Sequence, residues 1–232
     1  MRKYRKDAAT PIRVDFGIGL QAGLMLFPET AALGPDFEAL NDELDESFNV
    51  RRAARKVLVK ARAALRFANY QTDQVIRASS KAAEIADGGR RGPVFKAAFP
   101  LGVQPVVAPT GTRQVPATEK LVERITKSKV PGVEAFSTEW LPKLSAALVG
   151  MKAAADGYGA AHKAYLDVFG SELSLREEHL LAVDRLAGQV RAAFPGDRER
   201  QDLIFPVVES DDGAEVDEVV APDAVDDAPA PS

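Results

Sequence analysis

Two histidines, His162 and His179, are the only imidazoles in the 232-residue chain, and there is no cysteine. Thiol catalysis, disulfides and thiolate metal sites are therefore excluded. What remains for metal chemistry is a two-histidine, one-carboxylate set drawn from His162 and His179 with Glu172, Glu178 or Asp184. A helical hairpin turning near 170–174 would bring the imidazoles nearly level, one about 10 Å before a helix end and the other about 6 Å into the next helix. The Glu-x-x-His pairs that build carboxylate-bundle metal centres are absent, and His162 falls in an apolar seam between two tyrosines. Core packing is the expected role of both, and no metal or other cofactor is expected. A chain this short of nucleophiles and general bases is not expected to be an enzyme. The glycines of GIGLQAG, from Gly17, are spaced GxGxxxG with no βαβ pattern around them, so they make no dinucleotide loop.

The second chemistry-bearing cluster is RRAARKVLVKARAALR, with seven bases and no acid: Arg51, Arg52, Arg55, Lys56, Lys60, Arg62 and Arg66. On a helix these spread over a broad outer face behind an Ala/Leu seam. A solvated face is the plain expectation, and capture of an acidic partner is the sharper one. A nucleic acid would be held through its phosphates without base reading. Interleaved aromatics for stacking and helix-turn-helix spacing are both missing from the run. The chain carries its own competitors, the acidic run Asp36–Glu46 and a tail with nine acids and no base from Glu209 to Ser232. Without that tail the first 208 residues hold 30 bases against 25 acids. A tail that shields the basic helix would be an electrostatic gate.

The elements that must position these residues read as helices. Pro and Gly are absent from Asp36 to Asp87, and Gly88-Gly89 supplies a stop. An unbroken helix there would be longer than a compact domain, so a break is expected near Ser47–Asn49, with a long helix from Val50 to Asp87. Its seam is Ala54, Leu58, Ala61, Leu65, Ala68, Val75 and Ala82, with Thr72 and Ser79 as polar members. Residues 88–117, with five prolines, read as a connector with an extended piece at Val103–Val107, followed by a short helix ending before Pro131. From Leu141 to Phe169 apolar residues repeat with three- and four-residue spacing, Pro142 lying in the first turn. Gly170 is then expected to end that helix, and Ser174 with Glu177 forms a capping box for the next. The two would be an antiparallel hairpin.

One phrase occurs twice. KAAFP at Lys96 and RAAFP at Arg191 each lead on to Pro-Val-Val. The repeat points to a duplicated helical hairpin, or to the same helix-exit chemistry used twice, with Phe99 and Phe194 closing the end of a bundle.

The expected fold is all-α: an antiparallel helical bundle of three or four main helices over 36–208. An irregular, glycine-bearing arm over 1–35 precedes it, and a disordered acidic tail over 209–232 follows, too poor in apolar surface to offset its ordering entropy. No run reaches the roughly 18–20 apolar residues of a membrane helix. The basic start and the apolar stretch Val14–Pro28 lack a signal-peptide cleavage site, so a cytoplasmic protein is expected. The expected function is non-catalytic, acting through protein–protein interaction as adaptor, scaffold or self-associating subunit with another protein or itself as partner. The alternative is sequence-independent association with nucleic acid.

Overall fold

The computed structural model describes residues 3–206, and the stretch expected to be disordered, 209–232, lies outside them. Every regular element among the described residues is helical: α1 (Thr10–Leu24), α2 (Pro28–Ala31), α3 (Gly34–Ala86), α4 (Pro93–Ala98), α5 (Gln104–Val107), a 3₁₀ turn (Gly111–Arg113), α6 (Gln114–Lys127), α7 (Val133–Ala193) and α8 (Arg198–Ile204). The all-α expectation holds. These residues divide into two compact units, 3–55 with 164–206, and 56–163; α3 and α7 contribute to both.

Two expected breaks are absent. α3 runs 53 residues without interruption, roughly 80 Å at 1.5 Å per residue. Its seam carries through the supposed break, because Phe37, Asn41, Leu44 and Arg51 are all buried in phase with one another. α7 likewise runs 61 residues, so the hairpin turn at 170–174 does not form. Gly170 keeps helical backbone and costs only about 1 kcal/mol relative to alanine, too little to stop a helix whose face stays in contact. The Ser174 hydroxyl donates to the Gly170 carbonyl one turn back at 3.3 Å, so it caps nothing. Pro142 therefore sits inside α7, beyond its first turn.

In the first unit the residues read as an irregular arm form a helix. α1 begins with Pro11 in its opening turn, where no amide is needed. Its glycines let backbones approach. A Cβ at Gly17 would overlap the Asn41 side chain, and one at Gly23 would overlap the Ile204 carbonyl of α8. Leu20 and Leu24 of α1, Phe37 of α3, Val183 and Val190 of α7 and Ile204 of α8 share one core. Burying side chains of this kind contributes about 1.5–3 kcal/mol each.

In the second unit Ile76 and Ala83 of α3 pack with Phe95 and Phe99, Leu121 and Ile125 of α6, and Phe136 and Leu144 of α7. Gly88 and Gly89 take the left-handed conformations (φ 73° and 82°) that end α3. The Asp87 carboxylate then accepts from the Val94 and Phe95 amides at 3.1 and 2.8 Å, which caps α4. The connector 88–117 is thus built from short helices, and Val103–Val107, expected to be extended, holds α5. The repeated phrase marks the same local event twice, a buried Phe99 or Phe194 followed by a proline exit. The helices it closes have six and 61 residues.

Candidate functional site

The first unit encloses a centre of buried polar and charged side chains supplied by α1, α3 and α7. Glu172 is wholly buried. Its carboxylate accepts from Arg51 Nε at 2.5 Å, from Arg176 Nη2 at 2.8 Å and from the Thr10 hydroxyl. Arg51 also stacks against Phe48 and Phe169, its guanidinium carbon 5.2 and 5.5 Å from their ring centres. Arg13, 4% exposed, spends its fork on three carbonyls: Ala8 at 2.9 Å, Arg176 at 2.8 Å and Lys6 at 2.6 Å. It thereby ties the segment before α1 onto α7.

His179 completes the centre. Its Nε2 lies 3.1 Å from Asn41 Oδ1 and its Nδ1 2.7 Å from the Tyr4 hydroxyl. Because Asn41 Oδ1 can only accept, the imidazole proton sits on Nε2 and Tyr4 donates to Nδ1. Burial first, and then the charge of Arg13, pushes His179 down to about 4, so the ring is neutral. Burial likewise pushes the Tyr4 phenol up to about 12, against the opposing pull of Arg13.

His162 and His179 both lie on α7, 17 residues apart in sequence, so the facing helices of the expected hairpin are not what carries them. His162, half-buried, stacks on Tyr158 one turn away with ring centres 5.9 Å apart. No group of three or more potential metal ligands occurs among the described residues.

The structure sorts the seven bases of the basic run. Arg51 belongs to the buried centre, and Arg62 is half-buried and engaged within the chain. Arg52 and Arg55 are exposed in the first unit, and Lys56, Lys60 and Arg66 are exposed in the second. Among the described residues no carboxylate pairs with Arg55, Lys56, Lys60 or Arg66.

Within the second unit Lys56, Val59, Lys60, Ala63, Arg66, Phe67 and Tyr70 are all exposed and follow helical spacing. At 100° per residue they cover an arc of about 120° and a length of about 21 Å. Phe67 and Tyr70 are 59% and 60% exposed, and Val59 is 55%. Two exposed aromatics therefore stand on the same face as the cations. The sequence reading, confined to 51–66, stopped one residue before the first of them.

Glu38, Asp42 and Asp45 of the acidic run are exposed on the part of α3 that belongs to the first unit.

No helix among the described residues is long and apolar enough to cross a membrane. Comparison with protein-family models, with curated proteins and with solved structures finds no match to this chain.

Proposed function

We propose that this is a non-catalytic, self-associating helical protein of the cytoplasm, assembled through the outward face of α3. One observation supports the reading: α3 displays exposed acids in the first unit (Glu38, Asp42, Asp45) and exposed bases with aromatics in the second (Lys56, Lys60, Arg66, Phe67, Tyr70), and among the described residues no carboxylate pairs with Lys56, Lys60 or Arg66. A second copy running antiparallel supplies each patch with its opposite. Charge complementarity then sets orientation, and Phe67 and Tyr70 provide the desolvated contact that charge alone does not. Two such helices with their flanking partners would complete a bundle between copies.

Sedimentation velocity of the full chain tests this at about 50 mM and about 500 mM salt, alongside Lys56→Glu with Lys60→Glu and alongside Phe67→Ser. Concentration-dependent association is expected, weakened by salt and by either variant. A parent chain that stays monomeric at low salt overturns the reading.

The exposed aromatics also favour a second reading, sequence-independent nucleic-acid binding, since cations beside stacking rings suit single strands. Fluorescence anisotropy of a labelled single strand and a labelled duplex over a salt series decides it. Binding with a steep linear dependence of log K on log salt, reduced by Lys60→Glu, supports the reading. Absence of binding at low salt ends it.

A further inference from the structure

Within the second unit, Asp73 of α3 holds the corner where the proline-rich connector enters α6. Its carboxylate accepts from Gln114 Nε2 at 3.1 Å and from Asn69 Nδ2 at 3.3 Å. Asn69 Oδ1 in turn accepts from the amide of Gly111, the residue that opens the 3₁₀ turn, at 2.9 Å. Two side chains one turn apart on α3 therefore fix both the backbone of the corner and the first residue of α6.

Gln114 is wholly buried, yet its Oε1 has no hydrogen-bond partner among the described residues. Its Nε2 has a second, more distant acceptor in the Thr118 hydroxyl at 3.5 Å, which itself donates to the Gln114 carbonyl at 2.9 Å. An ionised carboxylate can only accept, so it cannot meet Oε1, whereas a protonated one can donate. Turning the carboxamide over then sets Oε1 on the acid O–H and Nε2 on Thr118, while the other carboxyl oxygen keeps Asn69. Protonation thus satisfies every member of the cluster, and ionisation leaves one buried oxygen unpaired. Burial pushes Asp73 up to about 6, against the opposing pull of exposed Arg77 one turn on along α3. The group that meets it from α6 is the uncharged carboxamide of Gln114, and Arg113, the adjoining charge, has an interaction of its own within the chain.

We propose that Asp73, Asn69 and Gln114 form a proton-operated clasp, which fastens the corner 109–114 to α3 when Asp73 carries a proton and slackens when it ionises. The folded state takes up this proton more readily than the unfolded chain, whose carboxyl titrates near 3.8. The clasp's contribution is therefore complete below that value and is lost as pH rises through about 6. Pro109, Thr110 and Arg113 of the corner also line a groove of about 1070 Å³ beside α6, so the proton sets the order of one wall of that groove.

The test follows the full chain by NMR from about pH 4.5 to about pH 8. The side-chain amide signals of Asn69 and Gln114 and the backbone amide of Gly111 should titrate together with a midpoint near 6. Hydrogen exchange at Gly111, corrected for its intrinsic rate, should quicken several-fold above that midpoint. Asp73→Asn copies the protonated acid, so it should abolish the titration and keep Gly111 protected at the alkaline end. Thr118→Val separates the clasp from burial alone. It removes the acceptor that Nε2 needs in the turned-over form and should lower the midpoint, whereas burial alone would raise it because the site becomes more apolar. A midpoint at the ordinary carboxylate value, a titration that persists in Asp73→Asn, or a midpoint that rises or stands still in Thr118→Val each overturns the proposal.

Discussion

Glu172→Gln isolates the charge of the buried centre from its shape. Glutamine fills the same space, but it removes a buried negative charge that meets the guanidiniums of Arg51 and Arg176 and turns one oxygen into a donor facing arginine. The Arg51 and Arg176 side chains are 5% and 12% exposed, so water cannot replace the lost partner. Breaking a buried pair on one side costs about 3–5 kcal/mol. That is a large part of the roughly 5–15 kcal/mol by which a domain is stable. For a chain of this size each kcal/mol moves the thermal midpoint by about 2–4 °C, so a fall of roughly 6–20 °C is expected by circular dichroism at neutral pH.

A companion variant controls for packing: Thr10→Val, Arg51→Met, Glu172→Leu and Arg176→Met together. With all four polar groups replaced, neither Glu172 nor its two arginines is left as a charge without the other, and stability should return to within about 2 kcal/mol of the parent or exceed it. A Glu172→Gln midpoint within about 2 °C of the parent would refute the reasoning, since the charge of Glu172 would then contribute little to stability. An apolar replacement as damaging as glutamine would show that shape, and not charge, sets the cost.

His179 gives a pH-dependent prediction. Its folded pKa of about 4 lies below the usual 6.5, so its contribution is complete above pH 6.5 and is lost as pH falls through that value towards 4. The loss amounts to about 3 kcal/mol at 1.4 kcal/mol per pKa unit, and His179→Gln should flatten the midpoint-against-pH curve in that window. An equally steep curve in the variant would assign the dependence elsewhere. Two glycines should respond oppositely to alanine. Gly23→Ala drives a Cβ into the backbone of Ile204 and should cost about 1–3 kcal/mol or more, whereas Gly157→Ala enters open space and should stabilise by about 0.5–1 kcal/mol, both read from denaturant midpoints. Destabilisation at Gly157 would show that something packs against it.

Much of the fold was legible because the seams are apolar. Leu58 and Leu65 on α3, and Leu144, Met151 and Tyr165 on α7, are buried where their spacing places them. Gly88-Gly89 was legible because only left-handed backbone ends α3 there. The centre was not, since a reader following apolar residues loses the seam wherever its members turn polar. From Phe169 the phase continues through Glu172, Arg176 and His179 to Val183, and on α3 through Asn41 and Arg51. Nothing on either helix alone says that these face inward. Each is satisfied by a residue far along the chain, Arg51 by Glu172 and Asn41 by His179. Local stop signals such as Gly170 and Ser174 then carried more weight than they do in the folded chain.

That pairing implies a role beyond stability. A slip of one heptad between α3 and α7 preserves most apolar contacts, because Leu, Val and Ala recur along both seams. The same slip sets Arg51 against Tyr165 or His179 and Glu172 against Leu44, leaving buried charge unpaired at a cost of several kcal/mol. We therefore predict, as a hypothesis, that the polar members fix register in the way a single buried asparagine fixes a coiled coil. The fourfold apolar variant should keep its helix content yet show doubled amide signals for residues 37–51 and 172–186, the mark of two registers. A single set of sharp signals would mean that the tight approaches of Gly17 to Asn41 and Gly23 to Ile204 already determine register, and that the charges are held by the fold without directing it.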